Sequence, residues 1–354
     1  MGNQGNVRWS LLMKVFVILI IMTVLSALVG CAGTASAGKT DTVELKLAHF
    51  FPSTHPAETE LVTGWAEAVK EATDGRVIIT SYPQETLLKA GDIYSSVKEG
   101  VADIGLSCFS YTPGRFPELE AFEQPGIVYK NSKAASKVAW EGIKEMNPEC
   151  VQDTKLLMVL ATGPGDLFTK TPVRTLDDLK GMQIRATGLT GDSLSLLGAV
   201  PVGMPQSEAY DALLKGVVTG NLAPVEVMKT WNQGEVTKYL TRTPFLYNNL
   251  FFITMNLDKW NSLPKDIQKA ITDVTEEFHE EVAIGLWDKQ NEEALDWAIN
   301  EQNFKVMELS EEQNAMWKQA IEPMLEKYVN DKGEAGQKAV DIVKRLSEKY
   351  NEEY

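Results

Sequence analysis

Short strand-like segments alternate with longer amphipathic helical ones along most of this chain, and that alternation limits the possible folds more than any other feature. Val43 to Ala48 alternates polar and apolar side chains with the period of a strand. Glu58 to Ala72 follows with Leu61, Trp65, Ala68, Val69 and Ala72 on one helical face. Asp74-Gly75 is a turn signal, and the β-branched segment Val77 to Tyr82 predicts a second strand. Ile93 to Glu99 reads as a helix ending at Gly100, and Asp103 to Ser107 as a third strand. Leu156 to Thr162, Met182 to Ala186 and Phe251 to Met255 read as further strands. Ser207 is placed to cap a helix that runs to Lys215 and stops at Gly216. One long amphipathic helix is expected from Lys265 to about Asn300, and helical spacing continues from Glu311 to Tyr350. Strands spaced by helices predict βα units, a largely parallel sheet and an α/β fold class.

Open α/β sheets bind ligands outside the carboxyl ends of their strands. The segments to search are therefore Phe50 to His55, Cys108 to Arg115, Gly163 to Leu167, and Thr187 to Asp192. A length of 354 residues is ample for two packed domains. The formal net charge of -15 argues against a nucleic-acid partner, which needs a positive field. An acidic protein that captures an anion must instead place a strong local cation inside a cleft.

The N-terminus stands outside the strand–helix pattern. Arg8 and Lys14 precede an almost unbroken apolar run from Val15 to Val29, too short for a confident membrane span and fitting a signal-peptide core. Leu28-Val29-Gly30-Cys31 resembles the bacterial lipobox, in which the cysteine is lipidated and becomes the new N-terminus. An ordinary signal peptide or a single anchor helix, with Cys31 incidental, is the competing reading. Residues 1–30 carry two basic and no acidic side chains, so their removal takes the formal charge from -15 to -17. Residues 31–42, rich in Gly, Ala, Ser and Thr, read as a flexible tether. The remaining cysteines, Cys108 and Cys150, are either paired or free, and free buried thiols are the reading favoured here.

Several motifs fail on inspection. Gly191-Asp192-Ser193-Leu194 spells the block of GDSL esterases, but it lies mid-chain, and Glu276 stands three residues before His279 where that family has an aspartate. Asp192 and Ser193 are better explained as residues that open a helix and cap its free N–H groups. Gly163-Pro164-Gly165 starts like a dinucleotide loop, but Phe168 occupies the place of the third glycine. His49, His55 and His279 show no metal-ligand spacing, so neither metal nor cofactor is expected. Arg185 differs from these: it ends the predicted strand Met182-Gln183-Ile184-Arg185, and Thr187-Gly188 lead from it to a helix N-terminus near Gly191 or Asp192. A guanidinium beside free backbone N–H groups is an anion site, although most arginines face water.

The segment Asp178-Leu179-Lys180-Gly181-Met182-Gln183-Ile184-Arg185 resembles a signature of TRAP transporter solute receptors, the DctP family. Leu197-Gly198-Ala199-Val200-Pro201-Val202-Gly203-Met204-Pro205 resembles the next part of it. Glu208-Ala209-Tyr210-Asp211-Ala212-Leu213, Gly216-Val217-Val218-Thr219-Gly220, Met255-Asn256 and Trp260 with Leu263-Pro264 continue in the family's order. The resemblance spans nearly the whole chain after residue 42. It implies a two-lobed periplasmic-binding fold (type II) with discontinuous lobes, residues 43–162 plus 249–288 and residues 163–248 plus 289–354. Two strands and a long helix would cross between them, near Ala161–Thr162, near Leu250 and around Lys289. It implies ligand capture rather than catalysis, release to the membrane permease subunits of a TRAP transporter, and a salt bridge from Arg185 to a ligand carboxylate. Further wall residues implied by matching are Phe50, Phe51, Cys108, Tyr111, Gly165, Leu167, Gly188, Gln206, Ala223, Trp231 and Asn248, with Asn249 beside it. Aromatic residues such as Phe51 and Trp231 serve a core as readily as a ligand wall.

The chain departs from the family at informative places. Thr219 replaces the usual aspartate of the Gly-x-x-Asp-Gly block, and Ala223 stands where many acid-binding members have asparagine. Gly165-Asp166 stands where sialic-acid receptors carry a second arginine, and Cys108 and Tyr111 stand where those receptors have charged groups. These differences predict one main cation in a neutral, partly aromatic pocket, suited to a monocarboxylate with an apolar or aromatic tail. The competing readings are a secreted esterase using Ser193 and a ligand receptor for a sensor kinase. The lipobox reading predicts that metabolic labelling with a radioactive fatty acid marks the wild-type protein and not Cys31→Ala. Equal labelling of both would contradict it.

Overall fold

The computed structural model describes residues 42–354; the signal segment, Cys31 and the tether expected at 31–42 lie outside the described residues except for Thr42. Among the described residues, eleven strands form two sheets: β1 (Val43–His49), β2 (Val77–Tyr82), β3 (Ile104–Cys108), β4 (Lys155–Ala161), β5 (Asp166–Thr169), β6 (Gln183–Ala186), β7 (Val200–Gly203), β8 (Gly220–Ala223), β9 (Tyr239–Thr241), β10 (Leu250–Met255) and β11 (Lys305–Met307). The first sheet runs β2-β1-β3-β10-β4 and the second β11-β9-β5-β8-β6-β7. The inner strands β3 and β10 are buried at every residue, which explains their continuous apolar runs.

The sheets are mixed, not largely parallel. β1 runs parallel to β2 and β3, but β10 is antiparallel to β3 and β4. β5 is antiparallel to both β8 and β9. The cause is the path between sheets. β4 leaves the first sheet at its carboxyl end, and the returning chain re-enters at the same edge, pairing Leu250 with Ala161. A strand that re-enters there must run back along its neighbour. β5 likewise begins opposite the carboxyl end of β8, with Asp166 against Ala223. The carboxyl ends of β1, β3, β6 and β8 thus all meet the connecting segments between the sheets. At the first of these, Gly163 has a φ of +70°, and a Cβ there would come within 2.7 Å of the Ser132 nitrogen.

Three helical expectations need correction. The helix from Lys265 does not continue to Asn300: it spans Lys265–Glu281, breaks at Val282, makes one 3-10 turn at Ala283–Gly285 and resumes at Leu286–Asn300. The break is held from outside the helix. Ser132 Oγ donates to the Ile284 carbonyl at 2.9 Å, and Asp288 accepts from the Ser132 backbone N–H at 2.6 Å. The two halves serve different cores: Trp65 Nε1 donates to Thr275 Oγ1 in the first half, while Ala294 and Ala298 of the second pack with Phe168 and Leu240. The helix Gln206–Lys215 starts after Pro205 without a side-chain cap, and Ser207 Oγ donates instead to Glu85 at 3.3 Å. The helix after β6 begins at Leu189, earlier than expected, with Gly188 ahead of it.

The C-terminal end also departs from the expected division, which put 289–354 wholly with the second lobe. The helix Glu311–Ile321 does pack there, through Trp317 and Ile321. The last helix, Pro323–Glu353, kinks at Gly333 and then lays Ala339, Val340, Val343, Leu346 and Tyr350 against the helix Ser132–Met146 of the first lobe. Residues at that spacing share one helical face, and the apolar stripe finds its partner there.

A buried carboxyl ties this first lobe to the returning strand. Glu123 Oε1 accepts from the Leu250 N–H at 2.7 Å, where β10 begins. Burial pushes its carboxyl up to about 8, with Glu120 adding to the rise and the Leu250 N–H opposing it. The folded protein keeps Glu123 protonated at neutral pH, while the unfolded chain ionises it near 4.5. The stability it contributes is full below about 4.5 and is lost as pH rises towards 8. Glu123→Gln should therefore be more stable than wild type at pH 8, by an amount on the order of 3 kcal/mol, with the difference vanishing at pH 4.5. Urea unfolding across that range checks this; a difference independent of pH would contradict it.

Candidate functional site

Arg185 lies inside the protein, 2% exposed, on β6 between β7 and β8. Its neighbours all offer lone pairs and no charge. Nε donates to the Met204 carbonyl at 3.0 Å, NH1 reaches Asn221 Oδ1 at 3.4 Å, and NH2 reaches the Tyr111 hydroxyl at 3.4 Å. No carboxylate lies within ion-pair distance of this guanidinium among the described residues, although the chain carries 49 acidic side chains. The contacts at 3.4 Å are long for N–H···O bonds, so the two terminal nitrogens are poorly satisfied. An isolated buried cation costs several kcal/mol, which a bound anion offsets.

Each partner is itself fixed. Asn221, on β8 beside Arg185, donates to Gln233 Oε1 at 2.8 Å and to Gln206 Oε1 at 3.4 Å, which turns its carbonyl oxygen towards the arginine. Tyr111 follows β3 in the other lobe and accepts from the Gln206 backbone N–H at 2.9 Å. Burial holds the Tyr111 phenol well above its usual range, and Arg185 opposes that rise. The neutral hydroxyl accepts from both groups and still has its own hydrogen to donate. Gln206 Nε2 is buried without a protein partner.

The walls are aromatic. Phe50 and Phe51 follow β1 and stack at 4.3 Å between ring centroids. Phe50 meets Tyr111 at 5.3 Å and Trp231 at 6.1 Å, and Phe251 stacks on Trp287 at 4.8 Å. His49 sets this loop, accepting from the Phe51 N–H through Nδ1 at 3.2 Å while Nε2 faces Glu58 at 2.7 Å. Arg185, Phe50, Phe51, Tyr111, Gln206 and Trp231 line one cavity, as do Thr162, Tyr247 and Asn249. Its volume is about 20 Å³, room for about one water molecule. Admitting an aromatic acid therefore requires the lobes or the ring side chains to separate.

The other expected wall residues stand elsewhere. Cys108 is a buried free thiol that accepts from Asn249 Nδ2 at 3.4 Å, and Cys150 is also free. Leu167 and Ala223 belong to cores of the second lobe. Gly165 lies behind the wall, where a Cβ would stand 2.6 Å from the Tyr247 ring and 2.7 Å from the Ala223 carbonyl oxygen. Gly188 faces a different cavity, of about 270 Å³, beside Ser110 and Glu123. Asn248 donates to the Phe122 carbonyl at 3.0 Å, so its neighbour Asn249 is the one that lines the cavity. Asp166, where sialic-acid receptors have a second arginine, is ion-paired with Arg242 at 2.7 Å.

The expectation of an otherwise neutral lining is wrong. Glu226, 2% exposed, lines the same cavity. His55 Nδ1 accepts from the Ala57 N–H at 2.9 Å, so Nε2 carries the hydrogen and donates to Glu226 Oε2 at 3.3 Å. This pair joins the loop after β1 to the loop after β8 across 171 residues, and sequence spacing gives no sign of it. Nor does Ser193 form a nucleophile. It is fully buried, its hydroxyl donates to the Thr190 carbonyl at 2.9 Å, and it caps nothing. His279 is occupied with the Val159 carbonyl at 2.8 Å.

Two sheets whose strand ends face one anion-seeking cavity define a two-lobed solute receptor. The family model described as bacterial extracellular solute-binding protein, family 7 (DctP), matches residues 47–332, and the chain belongs to that family. The C4-dicarboxylate-binding periplasmic protein of Rhodobacter capsulatus is 25% identical over 310 residues, covering 85% of this chain and 92% of the relative. A marine metagenome TRAP solute binding protein specific for aromatic acid ligands is 32% identical with a TM-score of 0.81, covering 87% of this chain and 99% of that one; it was solved with metahydroxyphenylacetate and with 3-hydroxybenzoate. A TRAP solute binding protein from Rhodoferax ferrireducens, in complex with copurified benzoate, is 27% identical with a TM-score of 0.78, covering 88% and 99%. The chain is thus an extracytoplasmic solute-binding receptor of a TRAP transporter, a transport component and not an enzyme.

Proposed function

We propose that this receptor captures an aromatic monocarboxylate and delivers it to the ion-gradient-driven permease subunits of its TRAP transporter, while Cys31 anchors it to the membrane through lipid. The observation that carries the ligand class is the buried Arg185 guanidinium without a carboxylate partner. A ligand carboxylate completes it, taking the two terminal nitrogens bidentately and the orphaned Gln206 Nε2 beside them. Water is excluded there, so the ion pair is stronger than at a surface.

The tail is read from the walls. Rings on several sides suit a flat apolar body in offset or edge contact. Glu226 argues against a dicarboxylate, since a second anion in the same cavity would meet a buried carboxylate of like sign. Relatives that bind aromatic acids support the same class. Ligand-driven closure follows from differential contacts: the acid touches Arg185 in one lobe and Tyr111 in the other only when the lobes are together.

A thermal-shift series checks the reading. Benzoate and phenylacetate, at about a hundredfold excess over Kd, should raise the melting temperature by roughly 5 °C, while succinate and sialic acid leave it unchanged. Stabilisation by succinate alone would contradict the proposal.

A further inference from the structure

The cavity that Arg185 lines also carries a buried group of opposite charge, Glu226. Glu226 Oε2 is taken by His55 Nε2 at 3.3 Å and by the Thr230 hydroxyl, whereas Oε1 accepts nothing from the protein among the described residues. The Trp231 ring lies 5.8 Å from that of His55, the partner of Glu226. The Trp231 indole N–H is buried without a partner, and both Trp231 and Glu226 line the cavity. Phe50 packs against both Trp231 and Tyr111, and Tyr111 in turn meets Arg185. One aromatic-lined cavity thus has a cation, one carboxylate acceptor and one indole donor among its lining groups.

We infer that Glu226, positioned by His55, and the Trp231 N–H form a subsite for a hydroxyl on the far side of the ligand, so that the receptor selects hydroxyaryl carboxylates over unsubstituted ones. This rests on the reading of Arg185 as the carboxylate anchor. A hydroxyl satisfies both groups at once, donating to Glu226 Oε1 and accepting from the indole N–H. An ammonium only donates and leaves the indole orphaned. A bare ring or an ether displaces solvent from that carboxylate oxygen without supplying a donor, which costs affinity. His55 holds the carboxylate in place and fixes its hydrogen on the side facing Glu226, through the Ala57 N–H bond to its other nitrogen.

Calorimetric titration of the intact receptor with phenylacetate, its 3- and 4-hydroxy derivatives, the matching methoxy derivatives and 3-(aminomethyl)phenylacetate tests this. The better hydroxy isomer should bind about tenfold more tightly than phenylacetate, and its methoxy counterpart no more tightly than phenylacetate. Glu226→Gln should remove most of the preference for the hydroxy isomer over phenylacetate, read as the ratio of the two affinities in the same variant. The wild-type comparison stands even where the variant fails to fold. Equal affinity for phenylacetate and both hydroxy isomers would overturn the inference and leave the carboxylate reading intact. So would tightest binding by the aminomethyl compound, or a Glu226→Gln loss equal for all acids, which would make the His55–Glu226 pair a latch between lobes. Failure of every acid to bind would overturn the carboxylate reading and this inference with it.

Discussion

A buried guanidinium without a counter-ion is the constraint on which the rest of the site depends. Arg185 is surrounded by the Met204 carbonyl, the Asn221 amide oxygen and the Tyr111 hydroxyl, groups that orient a cation without neutralising it. Dipoles of that kind orient the guanidinium and leave its charge uncompensated by the protein. A protein of formal charge -15 repels anions at long range. Capture therefore depends on a short-range interaction inside a closed, water-poor space, where the Coulomb attraction is many times its surface value.

The fold delivers that arrangement through strand direction. Strands β1, β3, β6 and β8 end at the connecting segments, so Phe50, Tyr111, Arg185 and Glu226 come to one cavity from four separate stretches of chain. The antiparallel placement of β5 and β10 follows from the same geometry, because β5 enters the second sheet and β10 re-enters the first at that end. Two opposite charges in one aromatic cavity then give the proposed carboxylate ligand one favourable orientation.

Much of this was legible in the sequence. Strands with strong burial on both faces, such as Phe251 to Met255, declared themselves by apolar runs, and Arg185 stood out by its place at a strand's carboxyl end. The family resemblance turned that arginine from an ordinary surface candidate into the proposed carboxylate anchor. Less legible were the short strands β5 and β8, whose Asp166 and Asn221 are polar because they bond Arg242 and Gln233 inside the lobe. The break at Val282 was invisible because its cause, Ser132, lies 152 residues from the carbonyl it binds. Matching residue by residue also overreached: Leu167, Gly188 and Ala223 sit near the right elements, but they pack into cores or face another cavity. Glu226 was missed for the converse reason, since a buried acid reveals its role only through contacts distant in sequence.

The most direct test is calorimetry on Arg185→Ala with benzoate, alongside the unfolding of the ligand-free variant. The account predicts a loss of roughly 2–5 kcal/mol of binding free energy, as for a buried charge pair stripped of one partner. It also predicts that the unliganded variant is at least as stable as wild type, because no buried cation remains to be compensated. Undiminished benzoate affinity in a folded Arg185→Ala protein would contradict the central claim.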